Sequence, residues 1–257
     1  MNKQTFVAIM VLTLLVGCIS TTTGPRKPRT SDADAAQANA ALGLNYMQQG
    51  KLELAMDKLK RALKQDPEMA GAHATIAMLY GRMGDPDFAE KHYRRAMQLS
   101  PGDPDLQNNY GVFLCGRDRY EEAENWFLSA AGNGRYRTPE AALTNAGVCA
   151  RNVPAAEKAE GFFRQALARN PGFSEALWQM ADLSFERGNL MQARAFLERH
   201  MDNAKATPEA LWLGVRMEQS LGHGDVARNY AVRLKTEFPT AVQTRMLLEL
   251  EQNDGSD

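Results

Sequence analysis

The chain has 257 residues, a formal net charge of −1 and three cysteines, and 44% of its residues are apolar. The near-neutral charge excludes a strongly basic nucleic-acid-binding protein, and the apolar and charged fractions together exclude general disorder. Alanine, the residue with the best intrinsic helix propensity, supplies 37 residues, whereas proline supplies 11. We therefore expect an almost entirely helical protein.

The first residues predict a secretory signal. An apolar run from Phe6 to Val16 follows the single positive charge of Lys3. Because a membrane-spanning helix needs about 20 apolar residues, this run is too short to cross a membrane and is typical of a signal peptide. It ends in Leu15-Val16-Gly17-Cys18, a sequence that resembles the lipobox of bacterial lipoproteins.

The lipobox resemblance implies that Cys18 is lipidated after removal of a signal peptide at 1–17. The alternative is a plain signal peptide with an accidental cysteine. No aspartate follows Cys18, since Ile19 and Ser20 stand there, and this implies sorting to the outer membrane. Residues 18–35 are interpreted as the lipidated N-terminus and a flexible tether rich in threonine, glycine and proline. Its three cations either contact anionic head groups or are simply solvated.

An internal repeat of 34 residues dominates the rest of the chain. Alanine recurs at spacings of 34, 34, 36, 34 and 34, and in five of six cases a larger apolar residue follows four positions later. The alanines are Ala55, Ala89, Ala123, Ala159, Ala193 and Ala227. The larger residues are Leu59, Tyr93, Phe127, Phe163 and Leu197, with Ala231 in the sixth case. This period matches the tetratricopeptide repeat, in which each unit is a pair of antiparallel helices.

The repeat predicts an all-α fold, a right-handed superhelical array of six helix-pair units with a C-terminal capping helix over residues 36–251. The predicted units are 36–69, 70–103, 104–139, 140–173, 174–207 and 208–241. The third is two residues longer, with an irregular end at Gly132-Asn133-Gly134. Residues 242–251 form the predicted capping helix, and residues 252–257 a disordered tail. Because one unit cannot bury its apolar face alone, the units should share one core and an extended concave surface.

The tetratricopeptide resemblance implies that the concave surface is lined by the second, fifth, ninth and twelfth positions of each first helix. In the first two units these positions include Ala40, Leu44, Met47 and Met78. They predict a groove for an apolar or β-strand-like partner segment. The alternative is that the leucine and the methionines pack within the array. The lysine and asparagine clamp of tetratricopeptide receptors for C-terminal carboxylates is absent, and the last two units offer aromatic and acidic residues instead.

No catalytic constellation is evident in the sequence. The four histidines occupy unrelated repeat positions, at 73, 92, 200 and 223, and none forms an HExxH motif or a metal-ligand spacing with a cysteine. Asp182 and Glu186 lie one helical turn apart, which is ordinary on helices. The sequence therefore predicts a binding scaffold rather than an enzyme, with no cofactor, no metal, no small-molecule substrate and no nucleic-acid partner.

Cys115 and Cys149 remain once Cys18 is assigned to the lipid. Both fall late in the first helix of adjacent units, three and four. In an oxidising compartment such a pair forms a disulfide if its Cα atoms lie within about 7 Å of one another. Otherwise the two residues are buried free thiols at a helix interface.

Three further stretches resemble a particular family. They are Asn108-Asn109-Tyr110-Gly111-Val112-Phe113-Leu114-Cys115-Gly116-Arg117, Arg119-Tyr120-Glu121-Glu122-Ala123 and Asn145-Ala146-Gly147-Val148-Cys149. Together with the lipobox and the six repeats, they resemble the type IV pilus biogenesis and stability lipoproteins. The segment Asn108, Asn109, Tyr110 and Gly111 is the most specific part of the resemblance. Its two amides also have a structural interpretation, as groups that hydrogen-bond between neighbouring units.

This family resemblance implies a pilotin, which binds the secretin subunit of the pilus and helps it reach and multimerise in the outer membrane. It implies a location on the periplasmic face of that membrane, anchored through acyl chains on Cys18. It places the secretin contact toward the first repeats, hence at Ala40, Leu44, Met47 and Met78. Some family members bridge cysteines that match Cys115 and Cys149. The alternative function is a general scaffold lipoprotein of the cell envelope, serving peptidoglycan enzymes or an outer-membrane assembly machine.

Overall fold

The computed structural model describes residues 30–153 and 156–254, and all of the regular structure in these ranges is α-helical. The helices are α1 (Thr30–Gln48), α2 (Leu52–Gln65), α3 (Ala70–Arg82), α4 (Pro86–Leu99), α5 (Pro104–Cys115), α6 (Tyr120–Gly132), α7 (Pro139–Ala150), α8 (Ala156–Arg169), α9 (Ser174–Glu186), α10 (Leu190–Asn203), α11 (Pro208–Ser220), α12 (Gly224–Glu237) and α13 (Val242–Asp254). The predicted all-α fold is confirmed.

Helices α1 to α12 form six pairs, one in each predicted unit, and the two helices of a pair pack against each other. The first helices of successive units also contact one another in an unbroken series, from α1 and α3 through to α11 and α13. The second helices pack chiefly against first helices, and Lys158 of α8 also forms an ion pair with Glu124 of α6 at 2.6 Å. The first helices therefore form a continuous inner layer, and the second helices an outer one.

A small residue in the first helix allows a large residue of the second helix to pack against it. A Cβ atom at Gly111 would lie 2.7 Å from Cε1 of Phe127, too close for two carbon atoms. Phe127 is almost fully buried in the largest core cluster, which joins units two to five. The same contact recurs between Gly43 and Leu59 and between Gly147 and Phe163. The small and large residues that recur in the sequence are thus the residues through which the two helices of a unit contact each other.

In the sixth unit this contact is displaced by one residue. The sequence repeat assigns it to Val215 and Ala231, but the structure packs Gly214 against the ring of Tyr230. Ala231 is too small to fill the space between α11 and α12, so the neighbouring tyrosine occupies it. The close approach of its ring then requires glycine at position 214.

Two predicted boundaries differ from the structure. Helix α1 begins at Thr30 and takes in residues 31–35, which the sequence analysis assigned to the tether. This segment is rich in alanine, and Asp32 lies in its first turn, where a negative charge complements the positive end of the helix dipole. Helix α13 continues to Asp254, past the predicted end at 251. Glu251 accepts hydrogen bonds from Lys235 of α12, and this contact holds the last turns of α13.

The extra length of the third unit lies in the link between α6 and α7, residues 133–138. The links between the other units are two residues shorter. Tyr136 of the long link is buried and packs into the largest core cluster. The longer link therefore adds one aromatic side chain to the core, while the residues on either side of Tyr136 are exposed.

Candidate partner-binding groove

Four apolar residues form a row along the inner layer, one from each of the first four units. They are Leu44, Met78, Val112 and Val148, all at the ninth position of their units. Leu44 is 38% exposed, Val112 49% and Val148 37%, while Met78 is half-buried. Because the helices that carry them contact one another in succession, these side chains form a continuous strip, which we call the apolar row. A contiguous exposed apolar strip is typical of an interaction surface.

Only part of the groove predicted from the sequence agrees with the structure. Leu44 is exposed and Ala40 is half-buried, but Met47 is 2% exposed and packs against Ile76 and Leu79 of the second unit. The prediction that Met47 lines the groove is therefore wrong, because its side chain fills the space between the first two units. Val112 and Val148 share the ninth repeat position of Leu44, which the tetratricopeptide resemblance assigns to the concave surface.

The amide pair beside the apolar row links two units. Nδ2 of Asn145 on α7 donates a hydrogen bond to Oδ1 of Asn108 on α5 at 2.9 Å. Both side chains are half-buried, and so is Asn109. Asn108 therefore has the structural role that the sequence analysis offered as an alternative, since it ties the third unit to the fourth.

Tyr110 and Gly111 lie in the core beneath this surface. The Tyr110 hydroxyl donates a hydrogen bond to the Glu90 carboxylate at 3.4 Å, and Glu90 also accepts from Arg119 at 2.8 Å. Hydrogen bonds from Arg119 and Arg94 lower the pKa of the Glu90 carboxyl, and burial raises the pKa of the Tyr110 hydroxyl. The carboxylate thus remains an acceptor and the phenol a donor, and together they join the second and third units.

Beyond the apolar row the groove becomes ionic. Nη2 of Arg151 lies 2.9 Å from Asp182 and 2.8 Å from Glu186, and its Nη1 donates to Gln179 at 2.8 Å. The two acids that stand one turn apart in the sequence therefore share one guanidinium that links the fourth unit to the fifth. This ion pairing explains their positions.

The structure brings Cys115 and Cys149 together at the same surface. Their Cα atoms are 5.8 Å apart, and a disulfide joins their sulfur atoms across α5 and α7. Cys115 follows Val112 by three residues and Cys149 follows Val148 by one. The bridge therefore connects the two helices that carry the third and fourth members of the apolar row.

The predicted signal peptide and the lipidation site Cys18 lie outside the described residues. Among the helices that are described, none combines the length and the apolar character needed to cross a membrane. In the same part of the chain, no group of three or more histidine, cysteine, aspartate or glutamate side chains could hold a metal ion.

Family models for the tetratricopeptide repeat match residues 32–84, 75–138 and 155–213. With its six helix pairs, the chain is therefore a tetratricopeptide-repeat protein. The type IV pilus assembly protein PilF of Pseudomonas aeruginosa is 29% identical to it over 232 residues, which cover 89% of this chain and 91% of that protein.

Two solved structures extend this similarity to the fold. That of Pseudomonas aeruginosa PilF has a TM-score of 0.72 and 28% identity, over 85% of this chain and 99% of that one. The structure of PilW, a widely conserved type IV pilus biogenesis factor, has a TM-score of 0.72 and 27% identity, over 83% of this chain and 98% of that one. The chain is a homologue of these type IV pilus biogenesis factors, which confirms the family resemblance seen in the sequence.

Proposed function

We propose that this protein is an outer-membrane lipoprotein that acts as a pilotin, binding the secretin subunit of a type IV pilus and promoting its localisation and multimerisation. The observation that carries the proposal is the apolar row, an exposed binding strip on a repeat protein homologous to pilus biogenesis factors over most of its length. The protein's task is to bind and position another protein, without catalysis.

The apolar row fits an extended apolar segment of the partner. Packed helices lie about 8–10 Å apart, so four successive first helices span roughly 25–30 Å. A β-strand rises about 3.3 Å per residue, so roughly eight residues of an extended segment cover that length. Helical walls offer no free backbone hydrogen bonds, so the binding energy comes from side-chain burial, at about 1.5–3 kcal/mol for each fully buried valine or leucine.

The lipid anchor places this groove at the membrane. Acylation of Cys18 would attach the chain by more than one acyl group, and each buried CH₂ contributes about 0.8 kcal/mol. Helix α1 begins at Thr30, only a short segment after Cys18. A bound subunit is therefore held close to the bilayer, where its effective concentration for insertion and multimerisation is raised.

Replacing Cys18 with alanine tests the anchor. Without the acyl chains the protein cannot carry its partner to the outer membrane, so the secretin subunit should be mislocalised and remain monomeric. Membrane fractionation and unheated gel electrophoresis of envelope samples measure both effects, with immunoblotting to show that the Cys18→Ala protein is present. Normal secretin multimers in that strain would overturn the pilotin function.

Charged substitutions in the apolar row test the groove. Val112→Asp and Val148→Asp should each weaken binding of the secretin subunit by about tenfold or more, because each removes a buried apolar contact and places a charge there. Since both valines are exposed in the free protein, folding should be unchanged. Titration of purified secretin subunit measures the affinity.

A matched control is Val232→Asp, since Val232 is 58% exposed on the outer helix α12. Equal affinities for Val112→Asp and Val232→Asp would refute the groove. Co-purification of a peptidoglycan hydrolase or an outer-membrane insertase in place of secretin would favour the general scaffold function.

A further inference from the structure

A cationic cavity lies in the second unit, on side chains of α3 and the outer-layer helix α4. Its volume is about 370 Å³. It is lined by His73, Lys91, His92, Arg94, Arg95 and Gln98. Among the described residues, no carboxylate lines it. The cavity is thus positively charged and separate from the apolar row.

Two of the three cations lack a compensating charge. Arg94 forms an ion pair with Glu90 at 2.7 Å. Lys91 and Arg95, in contrast, form no ion pair within the part of the chain that the structure describes. They are four residues apart on α4, the spacing at which like charges on a helix repel each other. An anion in the cavity would relieve this repulsion.

The two histidines form a direct hydrogen bond, and the tautomer of each ring can be assigned from its partners. Nε2 of His73 lies 3.2 Å from the Pro67 carbonyl oxygen, which can only accept, so this nitrogen carries a proton. In neutral His73 the Nδ1 atom is then an acceptor, and it receives a hydrogen bond from Nδ1 of His92 at 3.0 Å. Nε2 of His92 retains a lone pair.

Burial, with a smaller contribution from the nearby cations, keeps this pair uncharged. Burial, His73 and Lys91 together lower the pKa of His92 to about 4. Burial chiefly lowers the pKa of His73, and Arg95 acts in the same direction. Both rings are therefore neutral near pH 7, and they add polar groups to the cavity without neutralising its charge.

The repeat fold does not require histidines at these positions. The equivalent positions in the last three units hold apolar or aromatic residues that belong to or pack against the core clusters. These pairs are Leu143 with Phe162, Leu177 with Phe196 and Leu211 with Tyr230. The second unit thus has a polar pair where the last three units have a hydrophobic contact, and this pair lies directly beside two uncompensated cations.

We propose that this cavity binds a phosphate-type oxyanion. Lys91 supplies a compact positive charge, and the planar guanidinium of Arg95 matches two phosphate oxygens at once. The amide of Gln98 adds a neutral donor at the same wall. Free phosphate and the phosphate of a lipid head group present the same chemistry to this site.

The binding test follows the imidazole resonances of the purified protein by NMR while inorganic phosphate is added at pH 7. The resonances of His73 and His92 should shift saturably, while those of His200 and His223 stay in place and report an intact fold. The double variant Lys91→Gln/Arg95→Gln should weaken binding by about tenfold or more, because it removes both charge-assisted contacts. The control Lys205→Gln/Arg245→Gln has the same net charge as the cavity double variant, but it changes two exposed cations that are remote from the cavity in sequence. This control should bind phosphate as the unmodified protein does.

A second titration distinguishes the two sources of phosphate. It uses dihexanoyl phosphatidylglycerol below its critical micelle concentration, with dihexanoyl phosphatidylcholine as the zwitterionic control. Tighter binding of the anionic lipid than of phosphate identifies a lipid head group, and the reverse identifies a free anion. The proposal is overturned if phosphate and the anionic lipid cause no saturable shift, or if Lys91→Gln/Arg95→Gln binds like the control.

Discussion

Removing the disulfide between Cys115 and Cys149 should lower the free energy of unfolding by about 3–4 kcal/mol, because the bridge closes a long loop in the unfolded chain. The two residues are 34 positions apart. The measurement compares denaturant unfolding of the oxidised protein with that of the double variant Cys115→Ser/Cys149→Ser. Adding reductant should reproduce the loss in the unmodified protein and leave the double variant unchanged.

Alkylation of unreduced native protein gives a direct check on the same bond. If mass spectrometry found both thiols modified, or if the double variant lost less than about 1 kcal/mol, the bridge would not be a stabilising element of this protein. The location of the bridge also ties stability to function. It joins α5 and α7 beside Val112 and Val148, so it fixes the spacing of two members of the apolar row.

The fold could be predicted from the sequence because the repeated residues are the contacts that create it. Ala123 and Phe127 are almost completely buried, and their spacing recurs in nearly every unit. The unit boundaries predicted at 70, 104 and 174 coincide with the first residues of α3, α5 and α9. The repeat period equals the combined length of two helices and their links, so it predicts where each helix pair begins.

The fate of individual side chains could not be predicted in the same way. Leu44 and Met47 lie on one helix at groove-lining positions, yet one is exposed and the other is buried between units. This difference in exposure depends on how closely α1 and α3 approach each other, and the sequence repeat does not contain that distance. His73 and His92 stand 19 residues apart and share no motif, so only the pairing of α3 with α4 brings their rings together.

A buried carboxylate was also missed, because glutamate is normally an exposed residue. The side chain of Glu218 on α11 is 1% exposed. One of its oxygens lies 3.1 Å from Nε of Arg194 on α10, and the other lies 2.8 Å from Nδ1 of His223 in the turn after α11. Equivalent positions in other units hold Tyr46, Tyr80, Leu114, Ala150 and Ser184. The fifth and sixth units are therefore joined by an ion pair where the array elsewhere uses neutral residues.

Replacing Arg194 with leucine should destabilise the protein by about 3 kcal/mol, because it leaves the buried Glu218 charge without its guanidinium. This is the low end of the effect expected for such pairs, since Arg194 is itself 29% exposed. Thermal and denaturant unfolding followed by circular dichroism measure the change. Glu198→Gln is the matched control, because it removes the other carboxylate bound by Arg194. The Glu198 side chain is 56% exposed, so its removal should cost less than about 1 kcal/mol.

The double variant Arg194→Leu/Glu218→Leu separates the cost of an unpaired charge from the loss of packing. With both charges removed, no buried carboxylate remains unpaired, so the double variant should recover most of the stability lost in Arg194→Leu. If Arg194→Leu cost no more than Glu198→Gln, the pair would contribute nothing to the junction. If the double variant were as unstable as Arg194→Leu, the effect would arise from the arginine's packing against α11 rather than from its charge.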